Sequence, residues 1–276
     1  MTTLLKGQYQ LGDLVMGKHT NIVVTNFEVQ PYDLNAQDYQ ISRSDEMRFG
    51  TDNFKPTGIQ MTMEVIYNWL LDPWKASNPN FWADKPTVND LAEEWRANDI
   101  RGMWGQIKPL YFCGRDGITK MVFGRPGSFT AEKVSELSTV VKCIGEFRRA
   151  DTVSYHSTEY AINMTTSSNV ARQYGNTDTW CRILVNGPAT NPAFNIAGQV
   201  IQVNATITSG QIMEISSYPW ARRIVTNVGQ NLRNALSSGS VYLDKLKVPM
   251  GVVPARIVSG ASSATFVWRD AWSAIE

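Results

Sequence analysis

The chain has 276 residues, of which 43% are hydrophobic and 18% are charged, and its formal net charge is +1 at pH 7. This length predicts two domains, and the composition is typical of a globular protein rather than a disordered chain. A net charge so close to zero argues against a nucleic-acid-binding protein, so we expect no sequence-specific contact with nucleic acid. We also expect no signal peptide and no membrane span, because no window reaches the roughly 18 apolar residues that a span needs.

The first half of the chain predicts strands around one helix. Ile22–Val29 is rich in β-branched residues, and Gly58–Tyr67 alternates between apolar and polar side chains, which predicts a half-buried strand. Thr87 and Asp90 have the spacing of a helix capping box, and an apolar stripe at helical spacing follows them. That stripe consists of Val88, Leu91, Ala92 and Trp95. We place the end of the helix at Asn98–Asp99.

A hairpin is predicted after the helix. Leu110–Cys113 and Ile118–Phe123 flank the Asp116-Gly117 turn, where glycine accepts the positive φ that such a turn needs. The Gly-Arg-Pro-Gly run Gly124–Gly127 is interpreted as a turn that ends the second strand. Thr139–Phe147 predicts a further strand.

The second half of the chain predicts an almost wholly β domain. Asp151–Arg172 is poor in large apolar residues, so we place the boundary there and expect domains at residues 1–158 and 159–276. Short strands separated by Gly, Pro, Ser and Asn follow, a pattern typical of a β-sandwich or barrel. They are Trp180–Val185, Val200–Thr208, Gln211–Ile215, Arg222–Asn227, Val241–Tyr242, Ala255–Val258 and Ala264–Trp268, with a single helical turn predicted over Asn231–Leu236.

Few residues in the sequence have the spacing of a catalytic or metal site. His19 and His156 each stand alone, without a second ligand at zinc-site spacing, so we expect no metal and no cofactor. Nucleophile-elbow, phosphate-loop and zinc-protease motifs are absent from the sequence, so we expect no catalytic residues and no enzymatic activity. The three cysteines, Cys113, Cys143 and Cys181, are odd in number and widely spaced, which favours buried free thiols over a disulfide.

Carboxylates and aromatic side chains leave two alternatives open. The adjacent acids Asp45-Glu46 and Glu93-Glu94 cannot face one another across a cleft, so a solvated surface is a better interpretation than a glycan hydrolase. Trp220, which follows Tyr218-Pro219, is the candidate aromatic for stacking on a sugar ring. Packing over a sandwich edge or into a subunit interface is the favoured interpretation of that tryptophan.

Several segments carry recognisable patterns in a fixed order. Gly50-Thr51-Asp52 precedes the Gly58–Tyr67 strand, Gly124-Arg125-Pro126 follows a strand, and Thr139–Tyr155 combines a strand, an acidic turn and a tyrosine. Ile207–Ile215 and Ala264–Trp272 supply a Gly-Gln hairpin and a final strand with two tryptophans. In order and spacing these segments resemble the distal tail (Dit) proteins of long-tailed bacteriophages. The chain departs from the family pattern where Asp151 is followed by Thr152 in place of a proline.

The resemblance implies a fold and a role. The expected fold is mainly β: an N-terminal β-sandwich or split-barrel belt domain with one helix, and a C-terminal galectin-like, jelly-roll β-sandwich. The expected role is a minor tail protein of the virion, assembled in the host cytoplasm as a hexameric ring at the tail tip that surrounds the DNA-exit channel. Its implied partners are further copies of itself, the major tail tube protein, the tail hub or tail-associated protein, and receptor-binding or other minor tail proteins. A carbohydrate-binding module that contacts host-surface glycan is the alternative; no residue of such a site is assigned.

Overall fold

The computed structural model describes residues 3–30, 33–35, 39–40, 47–48, 53–55, 58–67, 85–103, 105–133 and 139–273. The chain divides into two compact units, Met1–Thr152 with Ile275–Glu276 and Val153–Ala274, called here the N-terminal and C-terminal units. The domain boundary between residues 158 and 159 stays a prediction. The Asp45-Glu46 pair and the Gly50-Thr51-Asp52 segment lie outside the described residues.

The N-terminal unit is built on an antiparallel sheet. Its strands are β1 (Gln8–Leu11), β2 (Leu14–Gly17), β3 (Ile22–Val29), β4 (Asp33–Asn35), β5 (Tyr39–Gln40), β6 (Met47–Arg48), β7 (Asn53–Lys55), β8 (Gly58–Ile66), β9 (Lys108–Cys113), β10 (Thr119–Lys133) and β11 (Val140–Arg149). Seven of them follow the order β2-β1-β9-β10-β11-β8-β3, while β4 pairs with β7 and β5 with β6. The alternation predicted for β8 is confirmed, because Ile59, Met61, Met63 and Val65 are all fully buried.

Two consecutive helices, α1 (Val88–Arg96) and α2 (Asn98–Arg101), belong to the N-terminal unit. The predicted capping box is confirmed: the Thr87 side chain accepts from the Asp90 N–H, and the Asp90 carboxylate accepts from the Thr87 N–H at 2.6 Å. Ala97 adopts a left-handed conformation with φ 47° between the helices. The predicted helix end at Asn98–Asp99 is wrong, because those residues begin the second helix.

Helix α1 packs on the sheet through one large side chain. Trp95 is 1% exposed and its indole N–H donates to the Glu146 carbonyl at 3.0 Å. The indole lies directly over Gly145, where a β-carbon would come within 2.4 Å of the ring. A glycine is therefore required in β11 for the helix to approach the strand this closely.

The prediction that Gly124–Gly127 ends a strand is wrong. Strand β10 continues through this run, and its pairing with β11 shifts register between Pro126 and Phe129. Such a β-bulge accommodates proline, which has no N–H to donate to the ladder. Gly124 is required because a β-carbon there would lie 2.0 Å from the Arg148 carbonyl oxygen.

The C-terminal unit is also antiparallel and almost entirely β. Its strands are β12 (Ser154–His156), β13 (Tyr160–Met164), β14 (Asn169–Ala171), β15 (Cys181–Ile196), β16 (Gln199–Gln202), β17 (Thr206–Ile207), β18 (Ile212–Ser216), β19 (Arg223–Thr226), β20 (Val252–Trp268) and β21 (Ala271–Trp272). The main path is β13-β20-β15-β18-β19, with β14 on β20 and with β16 and β17 on β15, while β12 pairs with β21. The predicted helical turn is confirmed as a 3-10 turn over Arg233–Ala235.

Two long strands replace several of the short ones predicted for this unit. Strands β15 and β20 have 16 and 17 residues and pair with each other through three register shifts. Ala255–Val258 and Ala264–Trp268 are therefore parts of one strand, and Val241–Tyr242 is not a strand. The bulges accommodate residues such as Pro188 and Gly260, which sequence patterns indicate as turns. The predicted mainly β fold class is nevertheless confirmed.

Candidate assembly surface

Helix α1 has an acidic cavity along one side, which we call the acidic flank. The cavity has a volume of about 500 Å³, and four carboxylates line it. The full lining is Asp13, Leu14, Lys85, Pro86, Thr87, Asp90, Glu93 and Glu94. Hydrogen bonds from the Thr87 side chain and backbone lower the pKa of Asp90 below its usual value. Asp90 therefore keeps its negative charge at neutral pH.

A second cavity, of about 450 Å³, contains no carboxylate in its lining and is called here the basic flank. It is lined by Ala92, Trp95, Arg96, Asn98, Arg101, Gly127 and Phe129. The floor is apolar, because the Trp95 and Phe129 rings lie 5.9 Å apart between helix and sheet. The two guanidinium groups give this flank a positive charge at any physiological pH.

The two flanks lie on either side of the solvent face of α1. Successive residues of an α-helix are rotated by about 100° around its axis. Asp90 and Glu94 then point about 120° to 160° away from Ala92 and Arg96. Glu93 points between these two directions, about 60° from Arg96.

Lys108 neutralises part of the acidic flank. Its Nζ lies 3.2 Å from Glu94 and 3.1 Å from Asp99. Burial alone would lower the pKa of Lys108, but the hydrogen bonds to Asp99 and Glu94 outweigh burial and raise it. Glu94 is therefore satisfied within the chain, and Asp13 and Glu93 carry the charge that remains open to a partner.

Two arginines fix the basic flank to β10. Arg101 donates to the Trp95 and Pro126 carbonyls, each at 3.0 Å, and so holds the end of α1 against the bulge. Arg125 reaches in the other direction and donates to the Met103 carbonyl at 2.7 Å. These bonds make the Gly-Arg-Pro run a structural joint between the helices and the sheet. This role depends on the continuation of β10 past the run, which the sequence pattern does not indicate.

An open strand edge borders the basic flank. From Phe129 to Lys133, β10 pairs with β11, whereas β9 pairs only with the earlier residues Thr119–Gly124. Along this stretch, β9 therefore leaves one edge of β10 uncovered. A strand with an unpaired edge is a template for pairing with another chain.

The residues considered for chemistry are not brought together. Cys113, Cys143 and Cys181 are buried free thiols, as predicted. Burial raises the pKa of Cys143 to about 11 and that of Cys181 to about 12. No group of three or more His, Cys, Asp or Glu side chains within the described ranges could hold a metal ion. Nor is any helix in those ranges long and apolar enough to cross a membrane.

The two histidines belong to different units. His19 lies in the turn between β2 and β3 with φ 64°. His156 stacks between aromatic rings in the C-terminal unit, with ring centroids 5.5 Å from Tyr174 and 6.0 Å from Trp272. Its Nδ1 accepts from the Thr158 N–H at 3.0 Å, so the neutral ring carries its proton on Nε2.

Trp220 is partly buried and packs against two aromatic rings of the C-terminal unit. Its ring contacts the rings of Tyr155 and Tyr218 at centroid distances of 5.7 and 5.2 Å. Tyr155 is fully buried and Tyr218 is 5% exposed. The packing interpretation therefore accounts for Trp220, whereas Tyr174 and Tyr242 of this unit are 42% and 73% exposed.

Comparison with known proteins gives matches among solved structures alone. No family model and no curated protein matches the chain. One match is the Dit (gp 19.1) protein of phage SPP1, which is described as a paradigm of hub adsorption apparatus in Gram-positive infecting phages. The match has a TM-score of 0.55 and 15% sequence identity, and it covers 91% of this chain and 93% of that chain. Two structures of the activated phage P2 baseplate, with Ca and with Sr, each match with a TM-score of 0.51, at 10% and 11% identity, over 95% of this chain and 97% of theirs. The chain therefore has the fold of the phage Dit hub proteins, and the predicted resemblance is confirmed at the level of fold.

Proposed function

We propose that the chain is a non-enzymatic structural hub of a bacteriophage tail tip. In this role it forms a ring, hexameric in our proposal, that joins the tail tube to the baseplate or tip proteins and surrounds the DNA-exit channel. Its partners are further copies of itself, the major tail tube protein, the tail hub or tail-associated protein, and receptor-binding or other minor tail proteins.

One observation carries the proposal. The likeness to the SPP1 Dit hub protein covers 91% of this chain and 93% of that chain, so both β-rich units take part in the match. A match to a single sandwich would point only to a common binding fold, because such folds serve many functions. A match over both units, in the same order, favours the role of the hub proteins.

Features of the N-terminal unit support self-assembly. A ring needs a contact in which two different surfaces of one subunit meet, so that each copy binds a neighbour on either side. The open edge of β10 and the oppositely charged flanks of α1 are surfaces of that kind.

Light scattering coupled to size exclusion tests the proposal. The purified protein at micromolar concentration is expected to have a mass near six times its 30.9 kDa. A single species at the monomer mass under these conditions would count against the ring.

Glycan binding by the C-terminal unit is the second candidate. The partly exposed ring of Tyr174, stacked on His156, is the observation that favours it, because exposed aromatic rings stack on sugars. A glycan array with the unaltered protein, Tyr174→Ala and Trp220→Ala tests this role. Binding lost in Tyr174→Ala alone supports it, and an array without signal removes it.

A further inference from the structure

We propose that Trp180, Arg222 and Lys247 form a binding site for a phosphoryl group on the C-terminal unit, called here the cationic tryptophan site. The Arg222 guanidinium carbon lies 5.3 Å from the centroid of the Trp180 ring, and Lys247 Nζ lies 4.7 Å from it. Both distances are within the roughly 6 Å at which a cation is attracted to an aromatic ring. The inference concerns a ligand of this unit and does not depend on the proposed ring.

Strand pairing places two members of the site side by side. An antiparallel bridge joins Thr179 to Val248, so Trp180 lies opposite Lys247 on the adjoining segment. Cys181, the next residue along the chain, is fully buried. Because side chains alternate along an extended segment, Trp180 points away from that core and remains partly exposed.

Arg222 reaches the same ring from the turn between β18 and β19. In this turn the Ala221 N–H donates to the Tyr218 carbonyl at 2.9 Å, and β19 begins at the next residue, Arg223. Arg222 Nε is buried, and no atom of the described chain accepts a hydrogen bond from it. A buried N–H without an acceptor is unfavourable, and a bound oxyanion would supply the acceptor.

The two cations of the site also lack a carboxylate partner. Within residues 153–273, no ion pair joins Arg222 or Lys247 to an acidic side chain. Their distances from one centroid keep the two charges within about 10 Å of each other, where they repel. Packing against the ring needs only one cation, whereas a bound anion removes the repulsion that the second cation adds.

Other arginines of the unit show the contrast. Four of them each pair with a carboxylate at 2.7 to 3.8 Å. The pairs are Arg172 with Asp270, Arg182 and Arg269 with Glu159, and Arg223 with Glu214. The unit therefore neutralises most of its partly buried guanidinium groups internally, and the cationic tryptophan site is left with its positive charge.

The number of charges favours a phosphate monoester or free phosphate as the ligand. Such a group carries about −1.5 to −2 charges at pH 7 and has three acceptor oxygens. A carboxylate or a phosphodiester carries a single negative charge and leaves one cation uncompensated. The Arg222 guanidinium can bind two oxygens in parallel, while the Lys247 ammonium acts as a point charge.

Calorimetric titration at constant ionic strength tests the choice of ligand. The probes are inorganic phosphate, glycerol 3-phosphate, dimethyl phosphate and acetate. The first two are expected to bind at least about ten-fold more tightly than the last two, because only they approach two negative charges. Tighter binding of glycerol 3-phosphate than of inorganic phosphate would identify an organic phosphate as the ligand, and equal affinities would identify the phosphoryl group alone.

Substitutions at the two cations test the residues. Arg222→Gln and Lys247→Gln each remove one charge and are expected to weaken phosphate binding at least about ten-fold. Arg233→Gln and Lys245→Gln remove the same charges at exposed positions and are expected to leave the affinity unchanged. Phosphate should raise the melting temperature of the unaltered protein and of both controls, but not that of Arg222→Gln.

Several results would overturn the site. Absence of phosphate binding by the unaltered protein is one, and an unchanged affinity in both Arg222→Gln and Lys247→Gln is another. Equal weakening in the control variants would assign binding to net charge, and acetate binding as tight as phosphate binding would refute the choice of ligand. None of these results bears on the ring, which mass in solution tests separately.

Discussion

Arg172 and Asp270 form a buried ion pair in the C-terminal unit, with Arg172 Nε donating to Asp270 Oδ1 at 3.0 Å. Their side chains are 0% and 1% exposed. Arg172 also donates to the Val248 carbonyl at 2.8 Å, and Asp270 accepts from the Tyr174 N–H at 3.0 Å. The pair therefore joins three segments that are distant in sequence.

Removing one partner of this pair is expected to destabilise the C-terminal unit strongly. Asp270→Ala leaves a buried guanidinium without its counterion, and such a loss costs about 3–5 kcal/mol. Urea denaturation followed by tryptophan fluorescence measures the free energy of unfolding. Replacing both residues, as Arg172→Met with Asp270→Leu, is expected to recover most of the loss because no charge remains buried.

A surface ion pair provides the control for that prediction. Arg182 and Glu159 lie 2.7 Å apart but are 30% and 34% exposed. Glu159→Ala is therefore expected to cost less than about 1 kcal/mol, since water screens an exposed pair. An Asp270→Ala variant no less stable than Glu159→Ala would show that the buried pair does not hold the unit together.

A methyl group at Gly145 is expected to displace helix α1. Gly145→Ala places a β-carbon 2.4 Å from the Trp95 ring, and overpacking of this kind costs about 1–3 kcal/mol. Gly102→Ala is the matched control, because its φ is −75° and no atom lies within 4 Å of its added β-carbon. Thermal unfolding of the two variants should differ clearly; equal melting temperatures would mean that the contact between Trp95 and Gly145 is loose.

Sequence patterns predicted the parts of this fold that depend on neighbouring residues. The cap of α1 is local, because Thr87 and Asp90 are three residues apart. Strand lengths were harder to predict from the sequence, because only the long-range pairing of β15 with β20 reveals which prolines and glycines lie in bulges. The partners Arg172 and Asp270 are 98 residues apart, and no periodicity relates them.

The candidate surface was predictable only in part. Glu93-Glu94 was recognised as a solvated acidic pair, and the structure places it on the acidic flank. The basic flank could not be recognised, because it combines Arg96 with Arg101 and with the bulge of β10. A helical wheel extended beyond Arg96 could have indicated one of these arginines, but not the strand beside them.

Stability of the C-terminal unit is expected to fall as the pH drops below 6.5. Burial lowers the pKa of His156 from its usual 6.5, and the nearby Asp270 offsets only part of this effect. The unfolded chain then binds a proton more readily than the folded protein, so stability present above pH 6.5 is lost as the pH falls towards the folded pKa.

His156→Phe tests that expectation, because it keeps a ring between Tyr174 and Trp272 and removes the titrating group. The free energies of unfolding at pH 7.5 and pH 5.5 are compared for both proteins. The unaltered protein should lose more stability than the variant over this interval. Equal losses would assign the pH dependence to other groups.

The cysteines are expected to be unreactive in the folded protein. All three side chains are buried. Burial raises the pKa of Cys143 to about 11 and that of Cys181 to about 12, so these two thiols form almost no thiolate near neutral pH. Ellman's reagent at pH 8 should therefore react with the three thiols only after guanidinium is added. Rapid reaction of the native protein would contradict the burial of these residues.

Negative-stain electron microscopy of the purified protein tests the structural-hub account most directly. The account predicts closed rings with a central hole and six-fold symmetry for the unaltered protein. Isolated particles of monomer size at micromolar concentration, or two-fold dimers without a hole, would contradict it.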